Sequence, residues 1–152
     1  PNTVKYYKSF PMSMQRRIAA YTQGGGRILV SGAYVGEDMM QEDDAAWLSR
    51  FMKASYSGTV KTDSLTGVNG LGMQFDFYRT LNPYHYAATH TNVLSPEGNA
   101  ICAMQYSSGQ SAAVAYAGTD YKAFVMGFPF ECITDRTTRN KLMQGILNYI
   151  LQ

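Results

Sequence analysis

Charge is scarce in this 152-residue chain: Asp, Glu, Lys and Arg make up only 16% of it, and the net charge is +2. The lysines and arginines are scattered, so no basic stripe points to nucleic acid and no polybasic run to a membrane surface. Apolar runs fall far short of the ~20 residues that span a bilayer. Cysteine is nearly missing too. Cys102 and Cys132 form neither a CxxC redox pair nor a zinc pattern; one structural disulfide is conceivable, but two buried thiols are the better expectation. His85 and His90 are the sole histidines. They lie in an expected loop without a carboxylate at ligand spacing, so neither a metal site nor a cofactor is expected. No signal peptide is in view, and the start at Pro1 reads as a processed or excised piece of something longer.

Apolar residues are plentiful. At 45% of the chain they predict a globular core, and the length predicts one domain over 1–152. The 12 tyrosines suit carbohydrate or protein partners, because each ring offers apolar area and each hydroxyl a hydrogen bond. The plainer alternative is that they finish sheet edges.

Met14, Ile18 and Tyr21 recur at helical spacing between Pro11 and Gln23, and Gly24-Gly25-Gly26 stops that helix. Ile28-Leu29-Val30 then reads as a strand at the centre of a sheet covered on both faces. A second helix is expected from Glu37 to Lys53, with Met39, Met40, Trp47, Leu48 and Phe51 inward and an acidic start suited to the helix dipole. Residues 54–96 are loose and polar, with short strands expected at 58–61 and 73–78 in a long loop region. Three more strands are expected at 100–106, 112–116 and 122–127, separated by turns. Thr134 or Asp135 caps a final helix over 136–151. This order predicts a three-layer α/β/α sandwich with a mixed sheet. Such folds usually begin with a strand, so the first βα units are expected upstream of Pro1.

The chemistry centres on Gly32-Ala33-Tyr34-Val35-Gly36, a tight turn between strand and helix. It resembles the G-x-C-x-G nucleophile turn of class I glutamine amidotransferases, in which glycines permit a strained backbone and a cysteine attacks an amide. Tyr34 stands in the cysteine's place, and a phenol is a poor acyl-transfer nucleophile near neutral pH. Gly127-Phe128-Pro129-Phe130-Glu131 resembles the family's F-H-P-E segment. Pro129 falls at the catalytic His, and Glu131 remains as the orienting carboxylate. Glu131 alone cannot run amide hydrolysis; the plainer expectation is that it accepts backbone N–H bonds at a turn or pairs with an arginine.

The segments GGGRILVSGAYVGEDM, AAVAYAG, YKAFVMGFPFECI and RNKLMQGILNYI resemble the amidotransferase-like domain of large secreted Bacteroidetes proteins labelled xanthan lyase-like. That resemblance implies a flavodoxin-like fold in an exported protein, secreted, periplasmic or at the cell surface, with neighbouring modules and a glycan ligand as partners. The function so implied is a pseudoenzyme, a structural or binding module with a degenerate site at Tyr34, Pro129 and Glu131 and ligand contacts from Tyr34, Glu131 and His85.

A different reading makes the chain a carbohydrate-active enzyme of polysaccharide-lyase type. A lyase needs a base beside a uronic carboxylate and a group that neutralises the charge. Arg79, Tyr84, His85, Tyr86, His90 and Asn92 supply those residue types. The plainer alternative is a polar loop with two structurally bonded histidines.

Overall fold

The computed structural model describes residues 7–62 and 67–152. Helix α1 (Met12–Gln23) follows Pro11, whose φ of −64° suits a helix start. Strand β1 (Arg27–Ser31) leads through the 32–36 turn to a short 3-10 turn, Glu37–Met39. Helix α2 (Glu42–Trp47) runs into one π-helical turn, Leu48–Met52, and left-handed Lys53 (φ 55°) ends it. Next come β2 (Ala54–Lys61), β3 (Val68–Gly70), β4 (Met73–Phe75), β5 (His90–Pro96), β6 (Ile101–Tyr106), β7 (Ser111–Ala117) and β8 (Lys122–Met126). A 3-10 turn at Phe130–Cys132 precedes α3 (Arg136–Leu151), which Asp135 caps by accepting from the Thr138 N–H.

Six strands form one sheet in the order β1-β8-β7-β6-β3-β4, and β2 and β5 form an antiparallel ribbon of their own. Only β1 and β8 run parallel; the other neighbours in the sheet are antiparallel. The ribbon closes over the ends of β7 and β8. Asn92 N–H donates to the Gly127 carbonyl at 2.6 Å, and Gly127 N–H donates to the Ala112 carbonyl at 2.9 Å. A Cβ on Gly127 would lie 2.1 Å from the Asn92 carbonyl oxygen, so this approach requires glycine.

β7 and β8 are buried on both faces. Phe124, Met126, Ala113 and Ala115 join Leu142, Ile146 and Ile150 of α3 in one core cluster. Val114 and Val125 point the other way, to Phe10, Met39, Trp47, Leu48, Met52 and Leu94. Period-two alternation thus feeds two cores from one strand, and the strand reads as a continuous apolar run.

Several expectations are corrected. The fold is a curled, half-barrel mixed sheet with short helices, not a three-layer flavodoxin-like α/β/α sandwich. Such a sandwich needs repeated βαβ crossovers, and here one parallel pair meets a run of antiparallel pairs. The β2–β5 ribbon joins the core on both sides of the sheet, through Ala54 and Leu94 on one and Val60 and Val93 on the other. Among the described residues β1 is an edge strand, not a central one. The expected helix over 37–53 breaks into three short pieces, leaving Met40 exposed. His90 to Pro96, expected as loop, is strand β5. Cys132 is buried but Cys102 is exposed, and both are free thiols. Among the described residues no helix is long and apolar enough to cross a membrane.

Candidate functional site

The 32–36 turn is built on space rather than strain. Neither Gly32 nor Gly36 has positive φ, contrary to the strained elbow expected from the resemblance. A Cβ on Gly32 would meet Val35 Cγ1 at 2.9 Å, and one on Gly36 would meet Leu94 Cδ2 at 2.8 Å. The N–H groups of Gly36 and Glu37 both donate to Asn92 Oδ1, at 3.0 and 2.9 Å. Asn92 is fully buried, and its Nδ2 has no hydrogen-bond partner among the described residues.

Tyr34 is half exposed and lies flat on His90, with ring centroids 4.6 Å apart and planes 19° apart. His90 Nε2 donates to Glu37 Oε2 at 2.6 Å. Thr59 Oγ1, itself bonded to the Tyr56 hydroxyl, lies 3.4 Å from the same oxygen. The phenol meets the imidazole face to face. A stacked ring passes no proton to its partner, so this row of Tyr34, His90 and Glu37 is not the relay of a nucleophile triad.

The 127–131 segment is pinned to β1 by Ser31, whose hydroxyl donates to the Phe128 carbonyl and accepts from the Phe130 N–H. Phe128 is buried against Phe75 and Phe77. Pro129 starts the following 3-10 turn, and its carbonyl accepts from the Cys132 N–H. Burial, with the nearby Glu131 charge adding to it, pushes the Cys132 thiol up to about 11. Glu131 is exposed and faces a cleft of about 530 Å³.

That cleft joins two segments far apart in the sequence. Its walls are Tyr78, Asn82, Pro83 and Tyr84 to Tyr86 on one side, and Glu131 and Arg139 on the other. Asn82 organises the loop: its Oδ1 accepts from the N–H groups of Tyr84 (2.8 Å) and His85 (3.1 Å), an Asx-type turn. The Asn82 Nδ2 then donates to His85 Nε2 at 2.7 Å, and His85 Nδ1 donates to the Tyr86 carbonyl at 3.3 Å. Both imidazole nitrogens are thereby engaged within the loop. The ring also stacks on Tyr78, 3.6 Å away and 11° from parallel. Tyr78 is held by its hydroxyl on the Thr134 carbonyl and its N–H on the Cys132 carbonyl. The loop thereby presents Tyr84 and Tyr86, 93% and 70% exposed. Arg139 Nη1 bonds the Ile133 carbonyl.

The expected site residues therefore divide. Tyr34 stacks on His90; Glu131 lines one cleft with His85 and Tyr84; Pro129 shapes a turn. Arg79 forms a two-pronged bond with Asp76 and donates from Nε to the Thr62 carbonyl. Sequence reasoning missed Tyr78, Asn82 and Arg139 as cleft residues and Glu37 as the partner of His90. Asn82 before Pro83 was a readable turn signal. The others come from distant segments with no local mark.

No family model matches the chain, and no curated protein sequence matches it. Solved structures do resemble it. A polyextremophilic beta-galactosidase from the Antarctic haloarchaeon Halorubrum lacusprofundi superposes with a TM-score of 0.60 at 17% identity, covering 92% of this chain and 20% of that one. A cytoplasmic protein from Salmonella typhimurium LT2 superposes with a TM-score of 0.53 at 12% identity, covering 78% of this chain and 50% of that one. At such identities the likeness is one of fold. The chain spans about a fifth and about half of the lengths of these neighbours. They and the curled sheet overturn the resemblance to amidotransferase-like and xanthan lyase-like proteins. Its local basis, a glycine-flanked turn after a strand, belongs to many sheets that need a close approach there.

Proposed function

We propose that the chain is a non-catalytic binding module whose Tyr78–Tyr86 cleft holds a carbohydrate. The observation that carries this reading is the display of Tyr84 and Tyr86, 93% and 70% exposed, on a loop locked by Asn82 and the Tyr78–His85 stack. A sugar ring offers apolar C–H faces to such tyrosines, and its hydroxyls suit the planar hydrogen-bonding groups of Glu131 and Arg139 across the cleft. A pre-set loop also lowers the ordering cost of binding. Both nitrogens of His85 are engaged and Arg79 is tied to Asp76, which argues against the lyase reading, where a base and a cation must reach substrate. The likeness to part of a chain named as a beta-galactosidase supports a sugar-directed setting for this fold.

Affinity electrophoresis in gels containing galactan, pectin or a neutral glucan tests the reading. At least one polysaccharide should retard the chain, and the Tyr84→Ala/Tyr86→Ala double variant should migrate as in a blank gel while keeping its thermal midpoint. Equal migration of the unaltered chain in all gels would refute it.

A further inference from the structure

The α1 stripe of Met14, Ile18 and Tyr21 has the spacing of a core-facing helix, yet Met14 is 43% and Tyr21 56% exposed. These side chains face an open groove of about 580 Å³ between α1 and β1, whose strand side is formed by Ile28, Leu29 and Val30. β1 has β8 as its one strand partner among the described residues. Gly26 directs its carbonyl to the Lys122 N–H, so strand alternation turns the Leu29 N–H and carbonyl away from β8 and toward the open edge. Tyr21 Oη sits 3.4 Å from the Arg27 carbonyl, at the start of that edge. Sheet edges are usually guarded by proline, a bulge or an inward charge. The Ile28-Leu29-Val30 edge has none of these.

Charge then narrows the occupant. Arg16, Arg17 and Arg27 fall within residues 12–31, a stretch without any acidic residue. Arg17 and Arg27 line the groove itself. The ion pairs among the described residues are Lys8 with Asp44, Arg79 with Asp76 and His90 with Glu37, and none neutralises this rim. A second copy of the chain would bring two such rims together, and like charges oppose that.

We propose that the β1 edge and the α1 groove dock an extended, acid-flanked segment of another polypeptide, which adds as a strand beside β1. Its backbone takes the outward groups of Leu29, its apolar side chains cover Met14, Ile18 and Tyr21, and its carboxylates meet Arg17 and Arg27. This is strand addition with alternate side chains in a groove. β1 is five residues long, so about 16 Å of the partner is paired at ~3.3 Å per residue.

The test uses the intact chain and a fluorescein-labelled peptide of alternating valine and threonine with two glutamates at each end. Two control peptides have lysines in place of the glutamates, or N-methyl groups on alternate backbone amides. The glutamate peptide should bind at least tenfold more tightly than either control by fluorescence anisotropy, and the Arg17→Glu/Arg27→Glu variant should reverse the preference between glutamate and lysine ends. Amide shift changes should centre on residues 12–31. Equal binding of the N-methylated peptide would overturn strand addition, and equal binding of the lysine peptide would overturn the charge argument. Dimers by sedimentation that exclude the peptide would assign the edge to a second copy and refute the proposal.

Discussion

The carboxamide oxygen of Asn92 accepts the Gly36 N–H at 3.0 Å, with the Glu37 N–H at 2.9 Å on the same atom. Paired N–H groups just after a strand are what an active site aims at a developing oxyanion. Here a buried side chain from β5 fills that place, and the turn serves to tie the ribbon to the end of β1. Asn92→Ala would leave two donors unpaired in the interior. The expected loss is about 2–4 kcal/mol of stability, read as a lower urea midpoint with an unchanged slope.

Gly127 is the other half of that junction. Gly127→Ala drives a Cβ to 2.1 Å from the Asn92 carbonyl oxygen, a backbone atom that cannot swing aside. The expected cost is at least about 3 kcal/mol, since the ribbon must shift off the sheet. Gly72→Ala is the control. Its φ of +75° makes alanine awkward, but nothing lies within 4 Å of the added atom, so about 1–2 kcal/mol of local strain is expected. Thermal unfolding of both variants compares them.

Acid should loosen the N-terminal arm before the core. Hydrogen bonds from Lys8 and then Gln15 hold the Asp44 carboxyl below its ordinary range, and Thr138 does the same for Asp135. A depressed folded-state pKa means that the stabilisation is complete above the ordinary carboxylate range of ~4 and is lost as pH falls through the folded value. Opening of residues 8–15, read as amide exchange divided by the intrinsic rate at each pH, should therefore rise as pH falls from about 4 to about 3. Asp44→Asn should flatten the rise in that segment.

Thiol chemistry should separate the two cysteines. Cys132 is fully buried, with its thiol pushed up to about 11, whereas Cys102 is exposed. A thiol reagent near pH 8 should modify Cys102 alone in the folded chain and both residues in urea. Peptide mapping identifies the modified positions; rapid native labelling of Cys132 would contradict this burial.

Much of the local structure was legible. α1, β1 and α3 lie within about one residue of their expected spans, because Pro11, the Gly24 to Gly26 run and Asp135 act through near neighbours. The π turn at 48–52 was not legible, since Trp47, Leu48, Phe51 and Met52 also fit a continuous helix. β5 was missed because its buried residues include Thr91 and Asn92 beside Val93 and Leu94. Those polar side chains are stabilised by distant partners: Thr91 Oγ1 donates to the Val60 carbonyl, and Asn92 serves the 32–36 turn.

The residues alone determined where α1 and α3 start and stop, that an apolar interior would form, and that His85, Tyr84 and Glu131 carry chemistry able to serve a site. They act through backbone geometry and side-chain chemistry, both of which are local. Only the tertiary structure decided that β1 lies at an edge of the described sheet, that the sheet curls under the β2–β5 ribbon, and that Glu131 shares a cleft with the 82–86 loop while Tyr34 stacks on His90. Ile28-Leu29-Val30 has the same apolar pattern at an edge as at a centre, because that pattern records what covers the faces of a strand and carries nothing about its hydrogen-bonding neighbours.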